Sequence, residues 1–125
     1  MNELKYTEGH AWIRREADGT VTIGITEYAQ DQLGDVVYVE LPEPGKVLQK
    51  GENAAVIESV KTADEITAPM SGSVVAVNTL LADAPEIVND DPLGEGWFLQ
   101  MQPDNPADLE SLMDQDAYED YIGGL

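Results

Sequence analysis

Cysteine is absent from the 125 residues, and histidine occurs once, at His10. The chain therefore cannot build a disulfide, a thiolate nucleophile, or a metal centre of cysteines or several histidines. Basic residues are scarce too: 6 Lys and Arg stand against 25 Asp and Glu, a formal net charge of −19. Phosphate backbones and anionic lipid surfaces are bound through Lys and Arg, so no nucleic acid and no membrane is expected as a partner. No apolar run reaches the length that spans a bilayer. The start, Met1 to Tyr6, lacks the apolar stretch of a signal peptide. The expected compartment is the cytoplasm, or the mitochondrion if a transit peptide has been removed.

Hydrophobic residues make up 42 % of the chain. That is enough for a packed core, and we expect residues 1–125 to form a single monomeric domain. The charge is unevenly spread. Lys5, Arg14, Arg15, Lys46, Lys50 and Lys61 are all the bases there are, so the half after Lys61 holds acids alone. Such a surface aids solubility, or offers a docking face to basic partners.

Turn residues divide the first hundred positions into short strands. Residues 11–25 read as a hairpin around Asp18-Gly19. Thr26 can cap a short helix from Glu27 to Leu33, with Gly34 just past its end. Further strands are expected at 35–41, 53–60, 65–68, 73–77 and 97–101. After Pro103, Asn105 can cap one helix, and a second can start near Asp116 with Tyr118, Tyr121 and Ile122 on its apolar side. The pattern predicts a mainly β sandwich or barrel core over about 11–102, with a short internal helix and a C-terminal helical segment over about 105–123. A faint repeat relates Gly34-Asp-Val-Val-Tyr-Val39 to Gly72-Ser-Val-Val-Ala-Val77, and Lys61 lies between the copies.

Nothing in this pattern resembles a catalytic centre. No serine stands in a nucleophile elbow. Gly94-Glu-Gly96 lacks the lysine and the strand–helix setting of a phosphate loop, and Asp90-Asp91 lacks calcium-loop spacing. Lys61 is different. A strand arrives through Val56 and Ile57, the lysine falls at the expected tip, and the chain returns through Ile66. A lysine so placed is open to a modifying enzyme, and acylation would remove its charge. Its bland alternative is a solvated turn lysine.

Several blocks in order now carry a resemblance: Lys5-Tyr6, His10-Ala-Trp12, Thr22-Ile-Gly-Ile-Thr26, Gln32-Leu-Gly-Asp-Val-Val37, Val39-Glu-Leu-Pro-Glu43, Glu58-Ser-Val-Lys61, Ala68-Pro69, Asn89 to Pro92, Gly96-Trp97 and Ala117-Tyr118. Over about Leu4 to Ile122 the chain resembles the H-protein family of the glycine cleavage system. The resemblance implies the lipoyl/biotinyl-type hybrid barrel-sandwich, with lipoate in amide linkage on Lys61 and Glu58, Ser59 and Val60 as the modification-site recognition residues. It implies a non-catalytic carrier. The carrier would take an aminomethyl group from a pyridoxal-phosphate glycine decarboxylase to a folate-dependent aminomethyltransferase. It would then bring the dithiol to dihydrolipoamide dehydrogenase, and lipoyl-attaching enzymes would be further partners. The loaded arm would tuck against the carrier, with Glu8, His10, Asp64 and Glu65 as candidate docking residues.

Three positions depart from the family pattern. Ala11 stands where the family usually has glutamate, Tyr28 where histidine is frequent, and Thr62-Ala-Asp-Glu65 where a run of small residues precedes Asp. They leave room for an H-like protein that relays lipoyl or octanoyl groups or serves another pathway. An unmodified acidic interaction module is a third reading. A biotin carrier is disfavoured, because Val60 and Thr62 flank the lysine where biotin sites have methionine.

Overall fold

The computed structural model describes residues 4–124. Strands β1 (Leu4–Tyr6), β2 (Ala11–Arg15) and β3 (Val21–Ile25) form an antiparallel meander. The β2–β3 register pairs Ala11 with Ile25 and Arg15 with Val21. That is one residue off the register a two-residue turn at Asp18-Gly19 would set, because the Glu16 N–H closes the turn on the Thr20 carbonyl at 2.8 Å. Trp12 pairs with Gly24, and a Cβ on Gly24 would lie 2.7 Å from the indole. Only glycine leaves room for the ring there. The indole N–H donates to the carbonyl of Pro92 at 2.8 Å, which satisfies the polar end of a fully buried Trp12.

Helix α1 (Glu27–Leu33) follows, and Thr26 caps it by accepting from the Ala29 N–H at 3.2 Å. Then come β4 (Val36–Glu40), β5 (Val47–Leu48), β6 (Asn53–Ser59), β7 (Ala63–Thr67) and β8 (Gly72–Val77). Two helices of one turn each, α2 (Leu80–Asp83) and α3 (Ile87–Asp90), precede β9 (Leu99–Pro103). A 3-10 turn over Pro106–Ser111 and helix α4 (Gln115–Gly123) close the chain.

The strands make two sheets. One has six strands in the order β1-β2-β3-β9-β8-β5, and the other has three in the order β4-β6-β7. Ile13, Ile23, Leu48, Val74, Leu99 and Met101 from the large sheet share one core with Val36, Val39, Ile57 and Ile66 from the small one. This is the mainly β sandwich the turn spacing predicts. The two halves of the faint repeat fall in different sheets, as β4 and β8.

A second, smaller cluster of Tyr6, Trp12 and Tyr118, with Trp97 packed against it, lies apart from this core. It anchors α4: the Tyr118 ring stacks on Tyr6 with centroids 4.6 Å apart.

Several expectations need correction. Strands β1 and β5 and helices α2 and α3 are additional. Each is four residues or fewer, too short to show a periodicity of its own. The last strand begins at Leu99, because the buried Asn78 amide donates to the carbonyls of Glu95 at 2.6 Å and Trp97 at 2.9 Å and holds that stretch outside the ladder. Phe98 is fully buried in the core, while Trp97 is only partly buried. The segment capped by Asn105 is a 3-10 turn, and α4 starts one residue before Asp116, capped by Asp114.

Candidate functional site

The small sheet's hairpin, β6 to β7, turns at Val60-Lys61-Thr62, and all three residues are exposed. Ser59 builds that turn. Its hydroxyl donates to the Thr62 carbonyl at 3.0 Å and accepts from the N–H groups of Lys61 at 3.2 Å and Thr62 at 3.1 Å. Its own backbone N–H reaches the same Thr62 carbonyl at 2.8 Å. A free hydroxyl at the strand end thus locks the tip with local bonds. The Val60 N–H donates to the Asp35 carbonyl at 3.0 Å, tying the tip to the neighbouring β4 edge.

Lys61 lays its stem over Gly34. A Cβ on Gly34 would come 3.2 Å from the Lys61 Cε and 3.5 Å from its Cδ, and Gly34 itself has φ 77°. The only ion pair among the described residues joins Arg14 to Glu16 at 2.8 Å. Lys61 is exposed, and its amine has no hydrogen-bond or ion-pair partner among the described residues.

Pairing registers sort the nearby acids. Glu58 stands opposite Tyr38 and Ala63, and Glu65 opposite Val56. These residues share the solvent face of the small sheet. Asp64 stands opposite the buried Ile57, on the other face. Neighbours in sequence, Asp64 and Glu65 thus point to opposite sides. The Asp64 charge acts on His10, while Glu65 shares its face with Glu58 and, across Val56, with Glu40.

His10 sits at the other end of α1 from Lys61. Its carbonyl accepts from the Thr26 N–H at 3.0 Å, and its ring lies 4.7 Å from Tyr28 and 5.9 Å from Tyr121. His10 holds φ 67°, unusual for a residue other than glycine. A buried chain fixes it: Thr26 Oγ1 lies 2.7 Å from the Tyr118 hydroxyl, which lies 2.9 Å from His10 Nδ1. Thr26 Oγ1 accepts from the Ala29 N–H and keeps both a proton and a lone pair for the Tyr118 hydroxyl, so the chain can run in either direction with the protonation of the imidazole. Burial pushes the His10 pKa below its usual value, while the Asp64 carboxylate pulls the other way. Burial also raises the Tyr118 hydroxyl, partly offset by its bond with Thr26.

Glu8 shares the β1–β2 turn with His10 but faces elsewhere. It lines a groove of about 470 Å³ with Thr67, Pro69, Met113 and Tyr121, at the end of β7 remote from the lysine. Among the described residues no group of three His, Asp or Glu side chains could hold a metal ion. No helix described is long and apolar enough to cross a membrane.

The fold is a mainly β, two-sheet sandwich that displays an exposed lysine on a locked hairpin tip. The family model described as "Glycine cleavage H-protein" matches residues 4–124, and the chain belongs to that family. A glycine cleavage system H protein of Psychrobacter cryohalolentis is 56 % identical over 120 residues, 96 % of this chain and 95 % of that protein. One from Rhodospirillum rubrum is 53 % identical over 125 residues, 100 % of this chain and 99 % of that protein. The crystal structure of a glycine cleavage system H protein from Mycobacterium marinum superposes with a TM-score of 0.85 at 38 % identity, covering 98 % of each chain. The chain is thus a lipoyl-carrier component of the glycine cleavage system and not a catalyst. The remaining components of that system are its partners.

Proposed function

We propose that Lys61 is the lipoyl attachment site and that this chain carries aminomethyl groups in the cytoplasm from a pyridoxal-phosphate glycine decarboxylase to a folate-dependent aminomethyltransferase. The observation that supports it most directly is the exposed Lys61, in no ion pair with the described residues, on a tip locked by Ser59. The residues fit the group, because an amide needs a free primary amine and open space around it. When bound, lipoate supplies the disulfide that accepts the aminomethyl unit and the dithiol that dihydrolipoamide dehydrogenase reoxidises.

The chain's own residues present and shelter that arm. Ser59 fixes the tip, and Glu58 and Val60 offer an acidic and an apolar contact to a lipoyl-attaching enzyme. Helix α1 runs from the Gly34 seat of Lys61 to Tyr28 beside His10, a length of about 10 Å for its turns. Lysine extended by an octanoyl-length chain spans more than that. We place the loaded end against His10, Tyr28 and Asp64. There the aromatic faces and the one carboxylate would hold a protonated amine away from water. Asp64 takes over the charge that Ala11 lacks. Glu65 and Glu8 are left to partner contacts, since neither shares that side. Tethering replaces diffusion of a free intermediate by a high local concentration.

Protein from a lipoate-replete host should show one lipoyl-sized mass increment, mapped by peptide analysis to Lys61. Glycine–bicarbonate exchange with the partner decarboxylase should vanish in Lys61→Ala. Full-length protein that stays unmodified in a host lipoylating its other carriers would sink the reading. Modification without exchange would favour the lipoyl relay.

A further inference from the structure

One side chain outside the hairpin determines where the hairpin stands. Asn89, on the one-turn helix α3, uses every polar atom it has. Its Nδ2 donates to the Gly34 carbonyl at 2.8 Å and to Gln30 Oε1 at 3.0 Å. Its Oδ1 accepts the Val36 N–H at 2.8 Å. Those bonds fix the backbone on both sides of Asp35. The Asp35 carbonyl takes the Val60 N–H, and Gly34 is the surface on which the Lys61 stem rests. The end of α1 is closed over the same segment, with the Gly34 N–H on the Gln30 carbonyl at 3.0 Å. The ladder between β4 and β6 is irregular here: Val36 pairs with Ser59, but the register shifts before Tyr38 pairs with Glu58. Regular strand pairing therefore does not fix this corner, and the Asn89 amide does.

We propose that Asn89 is a positioning residue for the carrier lysine: by clamping Gly34 and Val36 it sets the 34–36 segment against which the Lys61 turn is held and aimed. This rests on the reading of Lys61 as the attachment site. Asn89 touches neither the lysine nor any arm attached to it in these bonds. It acts through the backbone of Gly34–Val36. Only an amide, with two donors and an acceptor on one short stem, meets all three partners at once.

Asn89→Asp tests it at nearly constant shape. The carboxylate keeps the acceptor for Val36 but loses both donors and faces the Gly34 carbonyl. Amide hydrogen exchange in the unmodified protein should quicken about tenfold at Val60 and stay unchanged at Ile13 and Ile23 in the β2–β3 hairpin. The kcat/KM for enzymatic lipoylation of Lys61 should fall by about tenfold. Acylation of Lys61 by a small activated ester should keep its rate, because the amine is exposed either way.

Equal acceleration at all three amides would mean plain loss of stability and would overturn the proposal. So would an unchanged Val60, or a looser Val60 with unchanged lipoylation. If Asn89→Asp does not fold, Gln30→Ala removes one Nδ2 partner without orphaning a backbone group. It should quicken Val60 exchange by about two- to threefold, and no change there overturns the proposal. Wild-type protein that takes no lipoate defeats the attachment reading, while the Val60 amide still decides the clamp.

Discussion

Gly34 is the residue where backbone conformation and function meet. Its φ of 77° already disfavours a side chain, and a Cβ there would press on the Lys61 stem at 3.2 Å. Gly34→Ala should cost about 1 kcal/mol or more of stability in urea titrations. It should also slow lipoylation of Lys61, a second effect that strain alone would not give. His10 carries a pH prediction. Burial lowers its pKa below the ordinary 6.5, so the folded state prefers the neutral ring. Above 6.5 both states are neutral and stability is flat. As pH falls below that value the unfolded chain takes the proton first, and stability drops until the folded ring is protonated as well. Thermal unfolding followed against pH should show this acid-side loss. His10→Asn, which tolerates positive φ, should flatten it.

Elements are held to one another by few polar contacts, and each can be removed singly. Tyr118→Phe keeps the stacking on Tyr6 but deletes the hydroxyl between Thr26 and His10. It should destabilise the protein by about 1–3 kcal/mol in denaturant titrations, because the Thr26 hydroxyl is then buried without its partner. The hairpin tip depends on Ser59 in the same way. Ser59→Ala removes three local bonds at an accessible turn, so global stability should move by only about 1 kcal/mol. The lipoylation rate should fall several-fold, and a rate equal to wild type would show that the staple is irrelevant to presentation. Of the longer elements, the β2–β3 hairpin was legible from its turn residues, helix α1 from its Thr26 cap and β6 from its apolar run. Strand β7 begins at Ala63, two residues before the expected 65–68, because Ala63-Asp-Glu65 carries no apolar alternation. The one-turn helices α2 and α3 carry neither alternation nor a side-chain cap. Asn89 on α3 was therefore visible only as part of the Asn89-to-Pro92 resemblance block, with no sign of its role.

At the scale of the whole molecule the acid excess takes on a direction. The solvent face of the small sheet presents Glu40, Glu58 and Glu65 around Tyr38 and Val56, next to the lysine tip. A net charge of −19 steers basic surfaces towards the molecule from a distance, and the exposed Val60 and Tyr38 give a partner apolar ground to settle on. Association of the lipoylated protein with each enzyme of the system should weaken with added salt, mainly through a slower on-rate. Binding that ignores ionic strength in stopped-flow measurements would return the acids to a role in solubility.

By itself the sequence determined the composition of the carrier. It excluded thiol and multi-histidine chemistry, fixed the strand-rich pattern, and isolated Lys61 as the last base before an all-acid half. These follow from local rules, because alternation, caps and turns depend on residues a few positions apart. Only the tertiary structure decided what surrounds the lysine. The pleat sends Asp64 to the His10 side and Glu65 to the Glu58 side. The packing of α1 and α3 brings Gly34 and Asn89, 55 positions apart in the sequence, to one corner. Such contacts depend on the register between strands and the docking of short helices, which adjacent residues do not encode.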